Sequence, residues 1–305
     1  MTYQANTSLF SRRCVLGTAG LGGLLGKVNP AESIWSVLQA LDSGCQAIDT
    51  SPSYGDAEMY VGIALMQWQG ALPEISTKAG RLKSFSGNDC YYDYSDDGLE
   101  RSVCNSLYTL NVPAVDTLFL HEPCSLPVSE VARVVEKMVG FKERGLAKKI
   151  GLGGNFPSAF KPYLSAGVFD VVMGFNRFNA CRLDDLNATV PFCIEKNIDY
   201  YLASPLYMGL LGSSFHLFTK HRPGWLDEEC IARAMGLKRI ADKYRMRLSS
   251  LAHRFLLGFD LPFRIVVGAA NPLQLRNTID DFNAGSLPED LYNEILASIQ
   301  YHIKH

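Results

Sequence analysis

Residues 115–153 contain the repeat that decides the fold. They run Val115-Asp116-Thr117-Leu118-Phe119-Leu120-His121, then Val128-Ser129-Glu130-Val131-Ala132-Arg133-Val134-Val135-Glu136-Lys137-Met138-Val139-Gly140-Phe141, then Lys148-Lys149-Ile150-Gly151-Leu152-Gly153. The first and last pieces are short β-rich runs. The middle piece places Val131, Val134, Val135 and Met138 at helical spacing, and Gly145 suits the turn that ends a helix. Strand, helix and strand in this order form a right-handed crossover between parallel strands.

Outward from this unit the same alternation fills the chain. Further strands are expected at Arg13–Gly17, Cys45–Asp49, Glu74–Lys78, Phe169–Gly174, Ile198–Ala203 and Phe263–Val267. Runs such as Val171-Val172-Met173 and Ile265-Val266-Val267 have the composition of strands buried on both faces. Ile34, Val37, Leu38 and Leu41 mark a helix over Ile34–Leu41, with Pro30 suited to its first turn. Helical patterns also cover about 56–67, 96–110, 157–165, 183–196 and 272–283. Residues 228–258 read as two helices broken near Met246–Leu248, and a last helix spans about 288–301. Eight βα units within about 270 residues favour a closed (β/α)8 TIM barrel over an open doubly wound sheet. The fold class is α/β, one barrel domain over residues 1–305 with extra helices near the C-terminus. Gly-rich patches lie at strand ends rather than between domains. The longest irregular stretch, about 205–226, carries Tyr207, Met208, Phe215, Phe218 and Trp225, as either a binding loop or a self-packed surface loop.

Composition narrows the function. A formal charge of −2 leaves no electrostatic footprint for nucleic acid or an anionic membrane. No apolar run reaches the length of a membrane span. The eight cysteines form no CxxC pair, which reads as free thiols in a reducing compartment and argues against a metal site. Ser11-Arg12-Arg13 and the apolar run after it mimic a twin-arginine export signal. That run is short, Gly-rich and without a small-x-small cleavage site, and it supplies the first strand and its loop. The expected location is therefore cytoplasmic. Gly151-Leu152-Gly153-Gly154 lacks the GxGxxG spacing of a dinucleotide-binding βαβ unit, so that reading fails.

Asp49, Lys78 and His121 end the second, third and fourth strands, and Tyr54 lies in the loop after the second. In a barrel these positions share the C-terminal face, where the loops build the active site. A phenol titrates near pH 10, too high for proton transfer at neutral pH. Lys78 can favour the Tyr54 phenolate, Asp49 can keep Lys78 charged and aimed, and His121 can orient a substrate oxygen. Such a relay serves carbonyl reduction or alcohol oxidation when a cofactor provides the hydride.

Asp49-Thr50-Ser51-Pro52-Ser53-Tyr54-Gly55-Asp56-Ala57-Glu58 followed by Val61-Gly62-Ile63-Ala64-Leu65 resembles the signature of the aldo-keto reductase family. Ser76-Thr77-Lys78 and Phe119-Leu120-His121 resemble that family's catalytic lysine and histidine strands. Ile150–Phe156, Ser204–Leu211 and Val266–Leu275 resemble its fifth, seventh and eighth strands. Leu16–Leu24 and Tyr92-Asp93-Tyr94-Ser95 are similar to the aldose dehydrogenases of the family, which act on L-galactose, L-fucose and D-threo-aldoses. The resemblance implies catalytic roles for Asp49, Tyr54, Lys78 and His121. It implies a small-molecule sugar or carbonyl substrate, NAD or NADP as cofactor, and no nucleic-acid or membrane partner. Oligomeric state is left open. Alternatives within it are a general aldehyde or ketone reductase and a nicotinamide-binding regulatory subunit.

For the cofactor, the resemblance implies Asn155, Ser204, Leu206, Gly209, Leu210, Gly268, Asn271, Gln274 and Arg276. This chain also departs from the family pattern. Ala203 stands where many members stack an aromatic on the nicotinamide, so Phe178 or Tyr207 is expected to substitute. Gly174 stands near the usual amide-binding Gln, leaving Asn176 or Arg177. Gly268-Ala269-Ala270 replaces the Lys-Ser pair that holds the NADP 2′-phosphate, which favours NAD or dual use unless Arg276 reaches that phosphate. Leu24, Trp68, Phe85, Tyr91, Tyr92 and Trp225 are candidates to line the substrate pocket, and helix packing explains Trp68 equally well.

Overall fold

The computed structural model describes residues 8–24, 26–84 and 90–299. Its parallel strands are β1 (Cys14–Gly17), β2 (Ala47–Asp49), β3 (Glu74–Ala79), β4 (Val115–His121), β5 (Ala147–Gly153), β6 (Val171–Phe175), β7 (Asp199–Ala203) and β8 (Phe263–Gly268). Each pairs with its sequence neighbours, and β8 returns to β1 with Cys14 opposite Ile265 and Gly17 opposite Gly268, closing the barrel.

Strand alternation divides the apolar residues into two cores. Val15, Ala47, Phe119, Val171, Met173, Tyr201, Ala203 and Val266 pack together inside the barrel. Residues between them, including Leu16, Ile48, Leu118, Leu120, Val172, Leu202 and Ile265, pack outward with the helices. Gly151 and Gly153 make room for the ring of Phe119: a Cβ at either would come within 2.8 or 2.9 Å of that side chain. Burial on both faces is what the apolar runs at 171–173 and 265–267 require.

Several helix signals hold. The helix at Pro30–Asp42 starts on an Asn29 side chain that accepts from the Ala31 N–H, with Pro30 in its first turn. The helix at Val131–Glu143 ends just before Gly145, whose φ of +74° is the left-handed turn a glycine favours. The break in 228–258 falls between helices at Glu228–Lys243 and Leu248–Leu257.

Other expectations change. Arg13 ends a short helix, Leu9–Arg13, rather than opening a strand, and its guanidinium sits 4.4 Å over the Phe263 ring. The pattern at 183–196 is a helix only over Thr189–Glu195. Before it, Phe178–Asn179 and Arg182–Leu183 form a small hairpin. Asp185 pins that segment, accepting from Arg177 Nε at 2.9 Å, Thr189 Oγ1 at 2.8 Å and Tyr200 OH at 2.7 Å. The stretch 205–226 is not irregular throughout, since it contains a 3-10 turn at Tyr207–Gly209 and a helix at Phe215–Lys220. A second hairpin, Arg81–Lys83 with Cys90–Tyr92, rises beyond β3. The last helix is described over Glu289–Ser298. Among the described residues, no helix is long and apolar enough to cross a membrane.

Candidate active site

Alternation carries three polar residues into the mouth of the barrel. Ala47 and Phe119 face inward, so Asp49 and His121, two positions on, face inward as well. On β3, Ile75 packs in the outer core and Thr77 bonds Glu58 of the helix at Ala57–Gln67, which turns Ser76 and Lys78 inward. Asp49 and His121 end their strands and Lys78 lies one residue before the end of β3, all at the C-terminal face.

Lys78 is 2% exposed. Its Nζ donates to Asp49 Oδ2 at 2.5 Å and to the Thr50 carbonyl at 2.9 Å. Ser76 Oγ donates to Asp49 Oδ1 at 2.8 Å, so both carboxylate oxygens are engaged. Burial works against the lysine's charge, but Asp49 and Tyr54 outweigh it and its pKa is raised. Lys78 is therefore a fixed ammonium at neutral pH.

Tyr54 lies over this ammonium, with Lys78 Nζ 4.8 Å from the ring centroid. Its turn is fixed by Tyr54 N–H on the Ser51 carbonyl and by Asp56 N–H on the Gly22 carbonyl. A close approach sets that turn: a Cβ at Gly22 would overlap the Tyr54 carbonyl oxygen at 1.7 Å, so only glycine fits. Sequence reasoning expects a lowered phenol pKa, yet the net shift is upward. Burial dominates, Lys78 opposes it, and Asp49 adds to the rise. The lysine offsets part of a desolvation cost rather than producing a phenolate by itself.

His121 is 4% exposed, and its ring meets that of Tyr54 edge-on with centroids 5.8 Å apart. Burial, with Lys78 and Arg81 nearby, pushes its pKa well below the usual imidazole value, so it is neutral. Its Nδ1 lies 3.1 Å from Ser51 Oγ, which also contacts Ser53 Oγ at 3.0 Å. Ser51 is a contact that sequence reasoning missed, although it lies inside the quoted 49–58 stretch.

The other residues fall into groups. Asn155 is exposed beyond β5, with its Oδ1 3.5 Å from the Phe175 N–H. Ser204 follows β7 at φ +63°, and its Oγ accepts from the Met208 N–H at 2.9 Å. Leu206 is half-buried and Gly209 has φ +92°, whereas Leu210 is wholly buried in the outer core. Gly268 is exposed where β8 ends. Asn271 caps the helix Pro272–Ala284 by accepting from the Gln274 N–H, and Gln274 Oε1 accepts from the Ala270 N–H. Arg276 is exposed, with no ion-pair partner among the described residues. The ends of β7 and β8 are adjacent, since Ala203 pairs with Val266.

Neither expected stand-in for the missing aromatic faces the mouth. Phe178 is buried against Phe259 and Phe263, centroids 5.2 and 5.1 Å away, in the outer layer. Tyr207 is buried and meets the Trp225 ring edge-on. Phe175 was missed: Val171 and Met173 point inward, so Phe175 takes the same side at the rim, directly across from Ala203 and 39% exposed. Asn176 follows at φ +57°, with a buried Oδ1 that has no partner among the described residues. Arg177 is committed to Asp185 and Asp184. An unpartnered amide oxygen beside an exposed ring fits a nicotinamide carboxamide and its ring face.

Among the pocket candidates, Trp68 ends its helix at the opposite side of the barrel and donates Nε1 to the Ala71 carbonyl. Tyr91 and Tyr92 lie on the Arg81–Tyr92 hairpin, and Leu24 lies half-buried beyond β1. Trp225 packs edge-on against Tyr207 and Phe218. Phe85 falls outside the described residues.

The Aldo/keto reductase family profile matches residues 13–300. A D-threo-aldose 1-dehydrogenase from Pseudomonas sp is 27% identical, covering 92% of this chain and 91% of its own. A pyridoxal 4-dehydrogenase from Microbacterium luteolum is 25% identical, covering 92% of each. The solved structure of a glycerol dehydrogenase from Gluconobacter oxydans shares the fold with a TM-score of 0.73 at 22% identity, over 93% of this chain and 91% of that one.

Proposed function

The chain belongs to the aldo/keto reductase family and is an NAD(P)-dependent oxidoreductase, and from that premise we propose that it oxidises the anomeric hydroxyl of an aldose. The observation that carries the chemistry is the buried Lys78 ammonium, held by Asp49 and lying under the Tyr54 ring beside a neutral His121.

Tyr54 exchanges the proton with the substrate oxygen, and Lys78 stabilises the phenolate left when it donates, which is also the form that accepts the proton in oxidation. A neutral imidazole directs that oxygen by donating from Nε2, provided Ser51 donates to Nδ1. The nicotinamide supplies or accepts the hydride when bound. Asn176 Oδ1 would accept from its carboxamide and Phe175 would cover one ring face. Asn155 and the loops at Ser204–Gly209 and Gly268–Asn271 would hold the remainder.

The sugar reading rests on the D-threo-aldose relative and on the similarities at Leu16–Leu24 and Tyr92–Ser95. The pyridoxal relative favours a second reading, oxidation or reduction of an aldehyde without a sugar frame. For the cofactor we favour NAD or dual use over strict NADP. The β8 loop is Gly268-Ala269-Ala270-Asn271, and Arg276 is the cation the following helix offers in its first turns. We place the protein in the cytoplasm, a reducing setting that suits its free thiols. The 1–305 chain is read as one barrel domain.

The experiment is oxidation of a panel of aldoses by wild type and Tyr54→Phe. The variant is expected to lose about 100-fold or more in kcat/KM while binding cofactor nearly as wild type does. Activity within a few-fold of wild type would remove Tyr54 from the proton-transfer role.

A further inference from the structure

The proton relay leaves one charged cluster beside it unused. Arg81 and Tyr92 sit opposite each other on the hairpin beyond β3, and both reach the carboxylate of Glu122. Arg81 Nη1 donates to Glu122 Oε1 at 2.7 Å, and the Tyr92 hydroxyl donates to Oε2. Glu122 directly follows His121 and holds φ +50°. Its N–H is tied to the Gly153 carbonyl, and Tyr94 OH donates to the carbonyls of both His121 and Glu122, at 2.8 and 3.0 Å. Tyr92 stacks on Tyr94 with centroids 5.9 Å apart. The cluster is thus fastened to the backbone of His121.

It also reaches the reaction site electrostatically, since Arg81 acts on both His121 and Tyr54. Yet its groups are not saturated. Arg81 Nε is buried with no partner among the described residues, and the Glu122 side chain is 38% exposed, with lone pairs beyond its two bonds. A surface ion pair would contribute little to stability and would not need three residues from two elements fixed beside a catalytic histidine.

We propose that Arg81, Glu122 and Tyr92 form a polar wall that selects polyhydroxylated substrates by bonding the hydroxyls next to the reacting carbon. This rests on the sugar-oxidation reading above. Adjacent hydroxyls offer both donors for the Glu122 carboxylate and acceptors for Arg81. A substrate without them would strip water from the wall and return nothing, so the wall also rejects apolar aldehydes and lactols.

The test uses two matched lactols, a pentopyranose and 2-hydroxytetrahydropyran, which is the same ring without the remaining hydroxyls. Both are oxidised by the full chain with one cofactor. Wild type is expected to prefer the pentose. Glu122→Gln and Tyr92→Phe are each expected to lower kcat/KM for the pentose by about 10-fold to 100-fold, the scale of a hydrogen bond to a charged group. The loss should fall mainly on KM and should exceed the loss on the bare lactol by about tenfold. Tyr92→Phe keeps the stacked ring, so it guards against misfolding of the Glu122 variant. Equal losses on both lactols, or an unchanged preference, would overturn the wall while leaving the sugar reading intact. Failure of wild type to oxidise either lactol would overturn both.

Discussion

Lys78→Met is the sharpest probe of the relay because it removes one buried charge and leaves another. The ammonium lies 4.8 Å from the centre of the Tyr54 ring. At an effective dielectric of about 20, a unit charge at that separation changes phenol ionisation by about 3 kcal/mol, or about 2 pKa units. The wild-type phenol is already raised by burial, with Lys78 opposing that shift and Asp49 reinforcing it. Without Lys78 the pKa must rise further. Oxidation needs the basic form of Tyr54, so its rate should climb only at higher pH. The assay is the pH profile of kcat/KM for aldose oxidation, and the alkaline limb should move up by about 2 units. Stability should fall too, because Asp49 would be a buried carboxylate without its cation. Breaking a buried pair from one side costs about 3–5 kcal/mol. The double variant Asp49→Asn with Lys78→Met should recover most of the lost Tm but only the part of the pH shift that Asp49 itself contributes at Tyr54. An unmoved alkaline limb with activity near wild type would refute the argument and leave Lys78 as a structural ion pair.

Three further outcomes are expected. His121 has a folded pKa well below its usual 6.5, so its contribution to stability is present above that value and lost as pH falls toward the folded pKa. Tm measured from pH 7 to pH 5 should therefore drop more steeply in wild type than in His121→Asn, and parallel curves would contradict the neutral imidazole. Phe175→Ala and Asn176→Ala should each weaken cofactor binding by about tenfold, read by calorimetric titration without substrate, as loss of a ring contact or of a buried hydrogen bond would do; unchanged affinity would move the nicotinamide elsewhere. Arg276→Ala should leave an NAD preference untouched, whereas a strong NADP preference that collapses in the variant would make Arg276 the phosphate clamp.

The barrel and its four central polar residues were legible because their signals are local and periodic. Two-residue alternation gives inward parity to Asp49, Lys78 and His121, and strand order brings them together without any loop needing to be known. Strands at 171–175 and 263–268 needed only their apolar runs. What escaped depends on contacts distant in sequence. The helix expected over 183–196 begins only at Thr189, because Asp185 gathers Arg177, Thr189 and Tyr200 around the turn before it, a grouping invisible to periodicity. Trp68 by type alone suits a pocket or helix packing, and its helix carries it to the far side of the barrel, in line with the second. The upward shift at Tyr54 escaped because burial is a tertiary quantity, larger here than the attraction of one ammonium. Phe175 was within reach: extending the inward parity of Val171 and Met173 by one step finds it across from Ala203.

The cations around the mouth act on both reacting groups. Lys78 and Arg81 act on Tyr54 and His121, Asp49 opposes them at Tyr54 from its enclosed place against the lysine, and Glu122 stands at the exposed rim beside the arginine. A substrate oxygen between Tyr54 and His121 would thus face two cations and a neutral imidazole donor. Negative charge gathers on that oxygen whether a carbonyl is being reduced or a hydroxyl oxidised, because both directions pass through the same transition state. Fixed donors and cations stabilise that charge without having to reorganise. Keeping His121 neutral belongs to the same arrangement, since a protonated imidazole would need its own counterion and would compete with Lys78 for the negative charge. A site built this way lowers one barrier for both directions, so the direction of net turnover is set by the ratio of oxidised to reduced cofactor rather than by any residue in the barrel.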